Sequence, residues 1–355
     1  MKIAVLLPSL KPTGPIIVAK EVIQEILDNY ALNQKNEVKV FYFDYTDEKI
    51  ELPCDAEKIE YRESYNFPGF DIVHSHGYRP DRYLSRNRNV IQAKTISTVH
   101  CHIFEDLSYT YNYFVSRIFG TKWLKSLKKI DTIVCLTNYH KQFYSNFLLK
   151  EKISVINNGR KLKVSSIDQE DIKIFKTIRE RYPKAKIIGT CAAVGKLKGL
   201  DQILKTIVKN EDLVFVIIGD GPYKGILLKL AQKLAVEDRC IFLGYRSNAS
   251  RYIKEFDIYA LPSHSEAFPL ALIEATLMKV PCVCSDIPVL KEAFSDEEVF
   301  FFELNNISSC KKAIAGAITS GQEKALKAYK HSSKEYTVSV MGGKYYREYQ
   351  ELVKA

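Results

Sequence analysis

The sequence predicts an α/β protein made of two Rossmann-like doubly wound domains, each a parallel sheet with helices on both faces. Three observations lead there. Short apolar runs of strand length alternate with helix-length segments, the pattern of parallel strands joined by crossover helices. The alternation halts at a polar stretch and then begins again. The 355 residues also exceed what one ordinary hydrophobic core fills.

The first series opens with Ile3-Ala4-Val5-Leu6-Leu7, a strand that is too short for a signal-peptide core. A helix through residues 16–30 follows, then strands at 38–43, 72–74, 95–99 and 133–136, with helical stretches between several of them. Ser154-Val155-Ile156-Asn157-Asn158-Gly159 closes the series with a strand and a turn signal, and residues 161–171 read as a linker. The second series begins beyond a helix ending before Pro183, with a strand at 186–190, a helix at 200–208 and a strand at 214–218 broken by Gly219-Asp220-Gly221-Pro222. A helix at 225–234 and strands at 240–243, 258–261 and 280–284 complete it.

Composition narrows the class. A hydrophobic content of 46% with 26% charged residues is that of a soluble globular protein. No apolar run is long enough for a transmembrane helix. Eight scattered cysteines without a C-x-x-C pair read as buried thiols of a cytosolic protein rather than disulfides or a zinc site. The net charge of +10 calls for an anionic partner. Nucleic acid lacks support, because no helix-turn-helix, RNA-binding sheet signature or zinc-finger spacing is present. Residues 113–129 offer another answer: Arg117, Lys122, Lys125, Lys128 and Lys129 occur without an acid and with Phe114, Ile118, Phe119, Trp123 and Leu127 interleaved. That is a basic amphipathic helix, suited to an anionic membrane surface or to an ordinary surface position with one core face.

The densest chemistry lies in Ser263-His264-Ser265-Glu266-Ala267-Phe268-Pro269-Leu270-Ala271-Leu272-Ile273-Glu274-Ala275. A buried strand precedes it, and Pro269 suits the first turn of a helix. Glu266 then sits on a loop and Glu274 inside the helix. A helix starting beside a strand end presents unpaired N–H groups and a positive dipole to an anion, while the two carboxylates accept hydrogen bonds from hydroxyls. A sugar joined to a phosphate fits both. Acidic residues near a helix start also stabilise it without any ligand.

This run resembles the E-x7-E signature of retaining glycosyltransferases of family 4, of the bacterial surface-polysaccharide type. The match continues through Met278-Lys279-Val280-Pro281 into Cys282-Val283-Cys284-Ser285-Asp286 and covers nearly the whole chain. The resemblance implies the GT-B architecture, two Rossmann-like domains facing a central cleft. Residues 1–163 would form the acceptor-side domain, with a C-terminal helix at about 340–355 packing back on it, and 164–339 the donor domain. It implies a UDP-sugar as co-substrate, no metal or other cofactor, and a glycan or lipid-linked glycan acceptor. The location would be cytoplasmic, with peripheral contact to the inner face of the membrane through residues 113–129.

Site residues follow from the same likeness. Glu274 would accept the ribose hydroxyls, Lys198 and the amides of Leu270 and Ala271 would hold the diphosphate, and Glu266 with the Phe268 backbone would orient the sugar. Lys198-Gly199 matches the family pattern, but Ala193 stands where an arginine is usual, so either Lys196 joins or Lys198 and the helix amides suffice. Gly221, Tyr245 and Arg246 resemble the loops around the nucleotide, and Gly14 the turn after the first strand. Ala267 replaces a frequent glycine. His100 matches a position close to the reacting sugar and is the catalytic candidate beside Glu266, with Glu105 and Asp106 nearby to receive an acceptor hydroxyl. His74 and His76 form an H-x-H that metal-dependent hydrolases also use, and read as packed or cleft-lining. The alternatives are a GT-B epimerase acting on nucleotide sugars and, in another class, a basic nucleic-acid-binding protein.

Overall fold

The computed structural model of the protein describes residues 1–34, 36–162, 166–208 and 210–354, with side chains left out for residues 31–34. The chain divides into two compact units, Met1–Arg160 with Tyr336–Ala355, and Lys161–Glu335. The sequence-derived division after residue 163 falls on residues outside the described set.

In the first unit, β1 (Lys2–Ser9) leads into α1 (Gly14–Gln34), followed by β2 (Glu37–Asp44), β3 (Ala56–Lys58), β4 (Ile72–His76), α2 (Tyr78–Arg86) and β5 (Lys94–Val99). Then come α3 (Ile103–Thr110), α4 (Tyr113–Leu127), β6 (Thr132–Cys135), α5 (Asn138–Tyr144) and β7 (Ile153–Val155). The seven strands pair in the order β3-β2-β1-β4-β5-β6-β7, all in parallel. Strand order reverses between β1 and β4, which puts the switch point of the sheet beside the loops that follow those two strands. Burial explains the continuous apolar strands, since both sheet faces are covered. One face packs Leu6, Phe41, Val73 and Tyr83; another cluster gathers Val99, Trp123, Leu127, Ile133 and Tyr144.

The second unit runs α6 (Gln169–Arg181), β8 (Lys186–Cys191), α7 (Asp201–Ile207), β9 (Leu213–Ile218), α8 (Lys224–Lys233), β10 (Cys240–Gly244) and β11 (Ile258–Leu261). It ends with α9 (Leu270–Leu277), β12 (Cys282–Ser285), α10 (Pro288–Ala293), β13 (Phe300–Phe302) and α11 (Ile307–Glu335). Its six parallel strands lie in the order β10-β9-β8-β11-β12-β13, so here the switch point falls between β8 and β11. Ile188, Phe215, Ile217, Leu204 and Ile314 centre its core.

The final helix, α12 (Val338–Lys354), belongs to the first unit and is tied to it by tyrosines. Tyr345 Oη lies 2.9 Å from Thr98 Oγ1, Tyr349 Oη 2.6 Å from His74 Nδ1, and the Tyr346 ring stacks on Tyr30 at 4.2 Å.

Two expectations need correcting. The linker reading of residues 161–171 extends too far, because α6 starts at Gln169 and Asp171 is buried in its first turn. The apolar residues of the basic helix do not share one buried face: Trp123 and Leu127 enter the core, while Phe114, Ile118 and Phe119 are exposed. No helix among the described residues is long and apolar enough to cross a membrane.

Candidate active site

The loops at the carboxyl end of the second sheet are welded to one another by backbone bonds. Ala192 N donates to Ile218 O, Val194 N to Asp220 O, Tyr223 N to Val194 O and Gly219 N to Gly244 O. Gly219 adopts φ +142°, and a Cβ there would fall 1.8 Å from Ala192 O. A glycine is therefore required by close backbone approach. Gly221 is similarly confined by Val194 O, and its N–H is capped by Asp220 Oδ1 at 2.8 Å.

At the switch point, the turn after β8 and the loop after β11 meet. Gly199 takes φ +58°, and a Cβ would fall 2.1 Å from Pro262 O. His264 N donates to Leu197 O at 2.8 Å. The buried Gln202 amide locks the junction, donating to Pro262 O at 2.8 Å and accepting from Asn305 N at 2.7 Å. Held this way, Lys198 Nζ lies 2.6 Å from Glu266 Oε1, an oxygen that also accepts from Ser263 Oγ at 2.7 Å. The Glu266 side chain is only 10% exposed against 25% for Lys198, which sets the pair apart from a surface ion pair.

Glu274 sits one turn into α9 and is half-buried. Burial first, and then the Glu274 carboxylate, pushes up the Cys191 thiol at the end of β8; the Tyr259 phenol on β11 is pushed up by burial, then by Cys191, and only then by Glu274. The charge therefore stands close to the switch point.

The start of α9 differs from the sequence expectation. Pro269 precedes the helix rather than opening it, with φ −83° and ψ 63°, an inverse γ-turn in which Leu270 N donates back to Phe268 O at 2.9 Å. Of the two amides expected to face an anion, Leu270 is thus engaged, and Ala271 is the one left by this turn.

The other expected residues separate. Lys196 shares a short 3₁₀ turn with Lys198 but is exposed, and the spacing of two residues in such a turn points the side chains apart. Arg246 is held by the buried Asp171 through Nε at 2.8 Å and Nη2 at 3.0 Å, a forked pair that depresses the Asp171 carboxyl. Tyr245 next to it is largely exposed, Phe268 is buried, and Gly14 opens α1 with nothing within 4 Å of the place a Cβ would take.

In the first unit His74 and His76 are buried. His74 bonds Tyr349 and Thr98, and His76 Nδ1 lies 2.9 Å from His100 Nε2. Burial pushes His100 down to about 3, so its imidazole is neutral near pH 7. It lies just past β5 at the carboxyl edge. Among the described residues no group of three His, Cys, Asp or Glu side chains is arranged to hold a metal ion.

Ser263 and Gln202 were not foreseen. Ser263 stands three residues before Glu266, the spacing of a helix-capping box, but here it serves a loop. Gln202 carries little local signal, because beside a longer contact to Gly199 O at 3.4 Å its two short bonds reach residues 60 and 103 positions away. Volume does not mark the site either: a 730 Å³ cavity lies at the amino edge of the second sheet, lined by Lys186, Val280, Pro281 and Ser320, where α11 kinks.

Two doubly wound units with parallel sheets, one carrying an acid–lysine pair and a second glutamate at its switch point, are the fold and residues expected of a GT-B glycosyltransferase. The comparisons agree on that class. Residues 171–336 match the glycosyl transferases group 1 model and residues 28–163 the glycosyltransferase family 4 model. Each half of the chain thus belongs to a glycosyltransferase domain family, and the protein is a glycosyltransferase. The O-antigen biosynthesis glycosyltransferase WclY of Escherichia coli is 28% identical, over 100% of this chain and 99% of its own. The UDP-Gal:alpha-D-GlcNAc-diphosphoundecaprenol alpha-1,3-galactosyltransferase of Escherichia coli is 31% identical over 69% of this chain and 65% of its own. Among solved structures, HepE of Anabaena in complex with UDP and glucose superposes with a TM-score of 0.81 at 14% identity, over 99% of this chain and 100% of that one, which speaks to the fold.

Proposed function

We propose that the protein transfers a hexose-type sugar from a UDP-sugar to a glycan or lipid-linked glycan acceptor, with retention at the anomeric carbon, during assembly of a bacterial surface polysaccharide. The observation that carries this reading is the Lys198–Glu266–Ser263 cluster at the switch point of the second sheet. The names of the Escherichia coli relatives, one acting in O-antigen biosynthesis and one using UDP-Gal, support the donor and pathway class.

In this reading Lys198, fixed by Glu266, faces the diphosphate together with the Ala271 amide. Positive charge already in place stabilises the negative charge that grows as the bond from the anomeric carbon to the phosphate oxygen breaks. Glu266 Oε2 and the Phe268 backbone orient the sugar, and Glu274 accepts the ribose hydroxyls. The acceptor oxygen bonds to the face that the diphosphate leaves, and its proton passes to a phosphate oxygen of the leaving group. His100, neutral and backed by His76, lies on the acceptor side. Contact with an anionic membrane surface through residues 113–129 would bring the enzyme to a lipid-linked acceptor.

The direct test is thermal unfolding against UDP-, GDP- and ADP-sugars. A donor at a hundredfold its dissociation constant adds about 2.7 kcal/mol. Stabilisation by UDP-sugars is the expected result, and stabilisation by purine nucleotide sugars alone would overturn the base assignment. Glu274→Ala should weaken donor binding by about 1.5–3 kcal/mol, the range of a hydrogen bond to a charged group. Calorimetry showing unchanged affinity would remove Glu274 from the ribose site.

Transfer should also survive EDTA, because a lysine and a helix amide supply the charge that metal supplies elsewhere. Turnover lost to chelator and restored by magnesium or manganese would contradict this.

A further inference from the structure

Two buried imidazole nitrogens in the first unit lack a hydrogen-bond partner among the described residues: His102 Nδ1 and His140 Nε2. They belong together. His102 heads α3 just after β5, His140 lies in the first turn of α5 just after β6, and β5 and β6 are paired neighbours. Their ring centroids are 5.8 Å apart, and the two residues are 8% and 3% exposed. Both therefore lie at the carboxyl edge of the sheet, where doubly wound sheets take their ligands.

The hydrogen-bond pattern fixes the chemistry on offer. Thr137 Oγ1 accepts from the His140 backbone N–H at 3.2 Å and lies 2.8 Å from His140 Nδ1. A hydroxyl keeps a second lone pair and its own proton, so Thr137 Oγ1 can donate to Nδ1 or accept from it, and Nε2 correspondingly offers an N–H or a lone pair. On His102, Nδ1 is 3.8 Å from Glu105 Oε2, beyond hydrogen-bond reach. Burial pushes His140 down to about 3, and burial outweighs Glu105 in lowering His102. Two neutral rings beside a carboxylate do not attract an anion. The Tyr139 ring stands 6.2 Å from His102, inclined by 30°. Neutral polar groups next to an aromatic face suit a polyhydroxylated, uncharged ligand.

We propose that this cluster is a saccharide subsite of the first unit, in which His140 Nε2 and His102 Nδ1 bond hydroxyls, each of which can donate or accept, of one acceptor sugar lying against Tyr139. The proposal rests on the glycosyltransferase reading above for taking the acceptor to be a saccharide. Both nitrogens are buried in the structure, so a sugar reaches them only when a neighbouring side chain turns aside; Tyr139, Phe143 and Glu105 are the partly exposed neighbours of His102. Unsatisfied polar nitrogens beneath a movable surface side chain are stabilised by any ligand that supplies hydroxyls in reach.

Histidine-labelled full-length protein, observed through its imidazole nitrogens by NMR, is titrated with methyl glycosides of glucose, galactose and N-acetylglucosamine, and separately with UDP. At least one glycoside should shift His140 Nε2 and His102 Nδ1 saturably, while UDP shifts neither. His140→Phe keeps the ring volume and should weaken that glycoside about tenfold; His140→Gln returns a polar amide near the Nε2 place and should recover most of the loss. Unmoved nitrogens with every glycoside, or equal binding by a folded His140→Phe protein, would overturn the subsite. Failure of the donor reading is separable, because it would appear as no UDP binding at all, whatever the glycosides do.

Discussion

Lys198→Ala is expected to lower kcat/KM by about 10²–10³, the range seen when one preorganised group facing developing charge is removed. The larger part should fall on kcat, because in the proposed role the lysine would meet more negative charge in the transition state than in the bound donor. A second effect comes from its partner. Glu266 is mostly out of solvent and would keep only Ser263 as a donor to Oε1, so its charge loses compensation. Glu266→Gln combined with Lys198→Ala should then be less than additive, since the two act as a unit. Lys198→Arg preserves charge but substitutes a planar fork for a compact ammonium, and should recover only part of the rate. The competing assignment is Lys196. If Lys196→Ala costs more than Lys198→Ala in steady-state transfer, the phosphate-facing cation has been misplaced.

Much of this site could be read from the residues because its signals are local. The glutamates are eight positions apart, Lys198 is followed by the glycine that its turn needs, and the strands before them are unbroken apolar runs such as residues 213–218, buried on both faces. What escaped the sequence depends on distance or on weak edges. β3 is a three-residue, partly exposed edge strand, and β13 packs a phenylalanine run that carries no alternation. The Arg246–Asp171 pair joins residues 75 positions apart, which no spacing rule reveals. The start of α6 did have a signal, since Asp168 followed by Gln169, Glu170 and Asp171 is a cap with an acidic first turn. The polar composition of residues 161–171, which linkers share, masks it. The inverse γ-turn at Pro269 is subtler. Proline announces a helix start, but whether it opens the helix or precedes it depends on a ψ angle that the sequence does not encode.

Replacing Lys122, Lys125 and Lys129 with glutamate should release the protein from anionic vesicles, on the hypothesis that α4 rests on a lipid surface. The helix has a satisfied inner face. Trp123 Nε1 donates at 2.7 Å to Asp81, a buried carboxylate that also accepts from Ser75 and Ser97, while Leu124 and Leu127 fill the core. Nothing in that packing requires the outer face to be apolar. Yet Tyr111, Tyr113, Phe114, Ile118 and Phe119 are all exposed, Phe114 at 77%. Phe114, Ile118, Lys122 and Lys125 follow one stripe of α4, aromatic and aliphatic toward the start and cationic toward the end, while Lys129 lies just past the helix with Nζ 3.4 Å from Ser85 O. A cluster of this kind marks an interaction surface more than a scatter of single exposed residues does. Each lysine near an anionic leaflet contributes about 1 kcal/mol, so losing three weakens binding roughly a hundredfold, and reversal of sign adds repulsion. Association of the wild type should fall as salt shortens the screening length below about 8 Å. Transfer to a lipid-linked acceptor should slow with it, while UDP-sugar affinity, on the proposal that the donor site lies in the second unit, should not change. Cosedimentation of the triple variant at the wild-type level would mean that the stripe is simply a solvated face.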